Sequence, residues 1–360
     1  MRHFLAPLLA FGGLSMAFPA GAQENDLEQI CEQAAVQAFG ARDECLATAQ
    51  AVTSAQPVIG ILLAGGNPTL GSSGAAGLRL GLIPKVSAGV RLNVVPVRLP
   101  AILQDQIAGE AGDLADRYGL PAPAISGDVS LGIFNGISVA PTIGGIGGIS
   151  LLGSASYLPL SLLEDEGFED SDLAYGYGAR LHLLNESFLL PGISLSVMRR
   201  HLPTVEFGDV CPSGLTAVTV PGSSTGAGGC AGEGDAGEFS FNLSNWSTRL
   251  VASKRLLGLG ATVGLGHDSY DSDIGFGFRG SSVVPGTSFT PAFRVADQDL
   301  ESSRWSVFGN LSYTLLVASL SLEAGWQQGH APISSFEDIG GDFDPRDGSW
   351  FGSVGARLAL

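Results

Sequence analysis

The sequence predicts an all-β chain, an antiparallel transmembrane β-barrel of about twelve strands, preceded by a short N-terminal helical hairpin. Three observations lead there. From about Pro57 onward, apolar residues recur with a period of two. The face opposite them is mostly Gly and Ser, with single charges, rather than the Lys and Glu of a solvated sheet. The linkers alternate short and long along the chain.

Composition agrees. The 360 residues carry 18 Lys+Arg and 35 Asp+Glu, a formal net charge of −17, and charged residues make up only 15 %. Intrinsic disorder is excluded, because it needs low hydrophobicity and high charge. The acidity argues against a nucleic-acid partner, which needs a basic footprint. Glycine fills 52 positions without a three-residue period, which excludes collagen.

Residues 1–22 read as a signal peptide. Arg2 and His3 precede the apolar run Phe4 to Phe11, and Ala20-Gly21-Ala22 supplies a small-x-small cleavage site. Four cysteines follow: Cys31, Cys45, Cys211 and Cys230. An even count in an exported chain suggests disulfides, and the spacing suggests the local pairs 31 with 45 and 211 with 230. No C-x-x-C spacing or nearby His supports a metal site. Segment 23–55 has helical spacing, with Leu27, Ile30, Cys31 and Ala34 on one face and Cys45, Leu46, Ala49 and Val52 on another. Phe39 to Asp43 interrupts it, so a helical hairpin closed by Cys31–Cys45 is expected. It would serve as a plug or as a solvated arm.

Residues 56–360 form the expected barrel. Alternation is clear at Leu78-Leu80-Leu82, Val86 to Val94, Leu173 to Leu183 and Ala318 to Trp326. Val129 to Leu163 has no charge and is long enough for a transmembrane helix, but its glycines, Pro141 and Pro159 favour a two-strand hairpin turning at about 140–147. Short linkers fall near Pro84-Lys85, Ala140–Gly147, Asn185–Pro191, Ala252–Gly258 and Leu315-Leu316. Long ones fall near 99–123, 161–171, 207–236, 271–301 and 328–348, and four of the five are acidic. A first strand at about 57–66 makes twelve, an even number that returns both ends to one side; a further hairpin inside 274–296 would make fourteen.

The chain ends Ser353-Val354-Gly355-Ala356-Arg357-Leu358-Ala359-Leu360, a polar-x-Gly-x-x-hydrophobic-x-hydrophobic pattern. This resembles the C-terminal β-signal of bacterial outer-membrane β-barrel proteins, although the last residue is Leu rather than Phe or Trp. The resemblance implies an outer-membrane location, with outer-membrane lipid and the barrel-assembly machinery as partners. Gly66-Asn67-Pro68-Thr69-Leu70-Gly71 is similar to a segment of FadL-type hydrophobic-solute channels, which have an N-terminal helical hatch and fourteen strands. Asn-Pro also simply marks a turn.

On this alternation Arg79, Arg91, Arg180 and Arg249 face inward at similar depth, and Arg357 sits slightly lower. The phase slips near Asn245-Trp246, where a bulge is expected. A basic belt suits a pore that favours anionic or zwitterionic small solutes. In the competing reading the arginines pair with inward acids such as Glu323 and Asp128 and fill a closed lumen. The expected role is therefore passive passage of small solutes. A non-channel structural or adhesin barrel is the alternative, and a soluble periplasmic β-protein is a third. His267-Asp268 with Asp271 and Asp273 resembles omptin proteases in composition, but there is no nucleophile motif, so no enzyme, cofactor or metal is expected.

Overall fold

A computed structural model describes residues 29, 41–73, 85–96, 121–140, 143–159, 172–187, 190–207, 236–279, 282–284, 287–289, 292–329 and 345–359. The expected signal peptide, Arg79, Cys31, Cys211 and Cys230 lie outside them, and of Cys45 only the backbone is described.

The first described element is a helix, α1 (Ala41–Ala64). The strands follow: β1 (Lys85–Pro96), β2 (Pro121–Phe134), β3 (Ile137–Ala140), β4 (Ile143–Ile146), β5 (Gly148–Leu158), β6 (Asp172–Leu184) and β7 (Gly192–Phe207). Then come β8 (Ala236–Leu256), β9 (Leu259–Arg279), β10 (Ser282–Val284), β11 (Thr287–Phe289), β12 (Ala292–Leu315), β13 (Ala318–Gln327) and β14 (Ser349–Ala359). Ten of these close into an antiparallel barrel in the order β1-β14-β13-β12-β9-β8-β7-β6-β5-β2.

The barrel thus has ten strands, not twelve or fourteen. The stretch expected as a first strand, 57–66, is the end of α1 and the turn after it. An apolar run such as Val58 to Leu63 is compatible with either period. Here it continues a segment rich in Ala, which propagates a helix. Strand β1 pairs on one side with β2 and on the other with β14, so the wall closes without anything upstream. The alternation at 78–82 falls outside the described residues. The extra hairpin inside 274–296 is a prolongation of β9 and β12 capped by the separate ribbon β10-β11, and it adds nothing to the wall. The charge-poor stretch from Val129 does form a hairpin, β2 and β5, with the small ribbon β3-β4 at its turn.

The turns explain which end is which. Leu257 and Gly258 both have positive φ, 52° and 89°, the conformation of a two-residue turn that matches strand twist. Strands β8, β9 and β12 run 21, 21 and 24 residues from these tight turns, whereas about 9–11 residues cross a membrane. Their far halves therefore project beyond it on the long-loop side. The expected bulge near Asn245 is instead on β7, where register shifts between Leu202 and Val205. Pro203 lies in that gap and has no N–H for the ladder.

Candidate functional site

Residues 53–73 occupy the lumen, and their contacts descend in order. The Gln56 amide, at the far end, donates to Ser272 Oγ at 2.9 Å and to the Leu300 carbonyl at 2.8 Å. Gly60 lies against the ring of buried Tyr270; a Cβ there would stand 2.0 Å from Tyr270 Cε1. Below it, the Asn93 amide donates to the Leu62 carbonyl at 2.8 Å. Thr69 and Ser72 meet Arg180 on β6, and Gly71 meets Ser312 near the lower end of β12. Ser73 reaches Ser253 at 2.6 Å, close above the Leu257-Gly258 turn.

The helix stops where its chemistry says it should. Gly65 has φ +59°, the left-handed conformation that ends helices, and its N–H bonds the Ile61 carbonyl at 2.7 Å. A helix C-terminus leaves carbonyls unsatisfied and carries partial negative charge. Two arginines supply the donors. Arg91 donates to the carbonyls of Ala64 and Asn67, each at 3.1 Å. Arg249 donates to those of Gly66 at 2.9 Å and Gly65 at 3.2 Å. Where the backbone presents N–H groups instead, an acid receives them: Glu323 accepts from Gly66 and Asn67, both at 2.9 Å. Asn67 organises the turn below. Its Oδ1 accepts from the Thr69 N–H at 3.2 Å and from Arg180 at 2.8 Å, and its amide donates to the Ser72 carbonyl at 3.0 Å.

Each buried guanidinium facing α1 also has a carboxylate. Arg249 pairs with Asp268 through two bonds of 2.9 Å, and Arg91 Nε lies 3.1 Å from Asp128. Arg180, Arg249 and Arg91 are all 1 % exposed. They do not form one ring. Arg91 and Arg249 meet the end of α1, while Arg180 meets the turn below, because the inserted chain offers carbonyls at both heights. Arg357 faces inward on β14 beside a cavity of about 20 Å³ shared with Thr69, Arg91 and Asp128. That volume has room for about one water. Glu323 binds the plug backbone rather than the arginine expected as its partner.

Strand reasoning missed Asp268, which alternation with His267 sends to the opposite face. His267 points outward and packs edge-on against Trp305, ring centroids 4.7 Å apart, while Asp268 is 0 % exposed inside. The omptin-like composition therefore does not assemble into one site. His182, deep in the lumen, is held by Ser150 at 2.8 Å and by the Ser73 carbonyl at 3.0 Å. The plug itself was signalled by Leu62-Leu63-Ala64-Gly65-Gly66-Asn67-Pro68, an apolar run ending in glycines, which is a helix stop.

The outer surface inverts the usual distribution. Val263, Leu311 and Leu320 are 65, 66 and 65 % exposed, while the serines, asparagines and arginines between such residues are buried inside. Above this apolar zone stand outward Trp246, Trp305, Tyr175 and Tyr177, an aromatic girdle, with Arg199 stacked 5.6 Å from the Trp246 ring. An apolar band bounded by aromatics on a closed antiparallel barrel is built to sit in lipid. This is a bacterial outer-membrane β-barrel.

No protein-family model matches the sequence, and no curated protein matches it. Solved structures give distant likenesses. The translocator domain of autotransporter NalP from Neisseria meningitidis is similar at 10 % identity and a TM-score of 0.37, over 78 % of this chain and 89 % of that one. The outer-membrane protease OmpT from Escherichia coli is similar at 13 % identity and a TM-score of 0.30, over 78 % of this chain and 99 % of that one. The toluene transporter TodX from Pseudomonas putida is similar at 11 % identity and a TM-score of 0.25, over 76 % of this chain and 88 % of that one. None of these likenesses carries a role over to this outer-membrane barrel.

Proposed function

We propose that this chain is a non-conducting outer-membrane barrel, a structural anchor at the cell surface whose lumen is sealed by its own N-terminal segment. The observation that carries this is the engagement of Arg91, Arg180, Arg249 and Glu323 with backbone atoms of residues 64–72. Charged groups that would select ions in an open pore are here bonded to the plug. Packing leaves no wide gap either. Ten strands tilted by about 45° close on a backbone radius of about 11 Å, and a helix with its side chains is about 10–12 Å across. The remaining shell, roughly 5 Å thick, is filled by small Ser and Gly and by the larger inward groups that touch the plug, among them Arg91, Arg180, Arg249 and Tyr270.

Single-channel recording of the purified, folded protein in a lipid bilayer tests the reading. The intact chain is expected to be silent, and removal of residues 41–73 is expected to give steady conductance. Sustained conductance by the intact chain overturns it.

A second reading, a channel for small anionic or zwitterionic solutes that opens when the plug moves, is favoured by the polarity of the wall. With 53–73 displaced, Arg91, Arg180, Arg249, Arg357 and Glu323 would line a polar pore. Anion-selective conductance by the intact chain, lost in Arg91→Glu, would favour it.

A further inference from the structure

We propose that α1 threads the barrel outward, so that the chain preceding Ala41 leaves through the far mouth and is held on the outer face of the cell. This rests on the plugged lumen described above and deepens it, by giving the anchor something to display.

Depth and charge both bear on the direction. The first is depth. Counting inward from the far mouth, Gln56 meets Ser272 and Leu300, Gly60 meets Tyr270, Leu62 meets Asn93, and Gly65 and Gly66 meet Arg249. Thr69 then meets Arg180, Gly71 meets Ser312, and Ser73 meets Ser253 beside the tight turn. The order never reverses. On β9 the climb from the Leu259 turn to Ser272 is roughly 30 Å at about 3.4 Å per residue and a tilt near 45°. Gln56 thus already stands about level with the outer edge of a hydrocarbon layer roughly 25–30 Å thick. At about 1.5 Å per residue, α1, which continues unbroken through Pro57, carries Ala41 some 20 Å farther along its axis.

The second is charge. The buried guanidinium groups of Arg91 and Arg249 receive the helix C-terminus, which carries about half a negative charge. A reversed helix would press its positive end and unsatisfied N–H groups on the same buried cations. The helix polarity agrees with the depth order. Residues 23–40 carry Glu24, Asp26, Glu28 and Glu32 and no Lys or Arg, a composition suited to solvent. The short-turn side receives the other end of the plug: β1 starts there at Lys85, opposite Gly132.

An epitope tag inserted between Gly40 and Ala41 of the full chain, expressed in the outer membrane of a Gram-negative host, tests this by antibody labelling of intact cells. A tag between Val284 and Thr287, at the outer ribbon, marks full exposure, and one between Leu257 and Gly258 marks the periplasmic side. The Gly40 tag is expected to label intact cells at half or more of the outer-ribbon signal. Labelling only after permeabilisation, as for the Leu257 tag, overturns the threading. Heat-dependent gel mobility verifies folding of each variant. A second insertion between Asp26 and Leu27 keeps the test decisive if the first does not fold. The two proposals fail separately. A silent barrel with a periplasmic tag keeps the plug and loses the threading; a conducting barrel with a surface tag does the reverse.

Discussion

Replacing Arg249 by Met removes the group that ties the plug to the wall most directly. Arg249 makes two bonds of 2.9 Å to Asp268 and one each to the carbonyls of Gly66 and Gly65, at 2.9 and 3.2 Å. Asp268 is 0 % exposed, so the substitution leaves a carboxylate without its cation in a dry site. Breaking a buried pair from one side costs about 3–5 kcal/mol. Some of this falls on the seating of the plug, because two of the lost bonds end on it. Removing both charges is different. Arg249→Met with Asp268→Leu leaves neither member of this pair behind, and recovery of about 2 kcal/mol relative to the single variant is expected. Urea unfolding of the folded barrel, followed by its gel mobility shift, gives both values by linear extrapolation. A loss under about 1 kcal/mol for the single variant, or a double variant no better than the single, would refute the clamp.

Three further outcomes are expected. Glu323→Gln keeps the shape but turns an amide donor toward one of the two N–H groups that the carboxylate accepts, at 2.9 Å each, and should cost about 2–3 kcal/mol in the same unfolding experiment; no change would show the contact is passive. Gly60→Ala places a Cβ 2.0 Å from Tyr270 Cε1 and should unseat the plug, producing conductance bursts in a bilayer that Tyr270→Ala, made in the same chain, suppresses; equal bursts with and without Tyr270 would sink the steric account. Beyond the girdle, Asp273 and Asp299 face each other on β9 and β12. Hydrogen bonding with Asp273 and repulsion by it hold the Asp299 carboxyl above its ordinary 3.8, while the Asn242 amide, donating at 2.7 Å, holds Asp273 below. The Asp299 contribution to stability is full below 3.8 and is lost as pH rises through its raised value; the Asp273 contribution is present above 3.8 and is lost as pH falls through its lowered one. In Asp273→Asn the Asp299 midpoint, read by carboxyl NMR titration, should return toward 3.8; an unmoved midpoint argues against the pairing.

What the chain reveals locally and what it withholds divide along the range of the interactions. The wall was legible because alternation is local: Val90 faces out and Arg91 in, whatever lies across the lumen. The seating of the plug was not, although its helix stop is readable, because its partners are remote. Asn67 meets Glu323 across 256 residues, and Gln56 meets Leu300 across 244. No window of a dozen residues around Val58 to Leu63 contains the arginines that make a helix end tolerable there. Asp268 groups in sequence with Asp271 and Asp273 for a related reason, since the height at which a 21-residue strand leaves the membrane depends on the girdle of its neighbours. The Gly and Ser face is the instructive case. Small inward residues suit an open polar lumen, and they are equally what a helix needs if it is to fit inside ten strands with about 5 Å to spare. Open and filled lumens therefore leave nearly the same alternation, and what separates them is a second segment with the length, the glycine stop and the exposed carbonyls to occupy the space. The stretch ending Leu63-Ala64-Gly65-Gly66-Asn67 has all three, so the inward arginines are better understood as the cap of that helix than as a ring waiting for solutes.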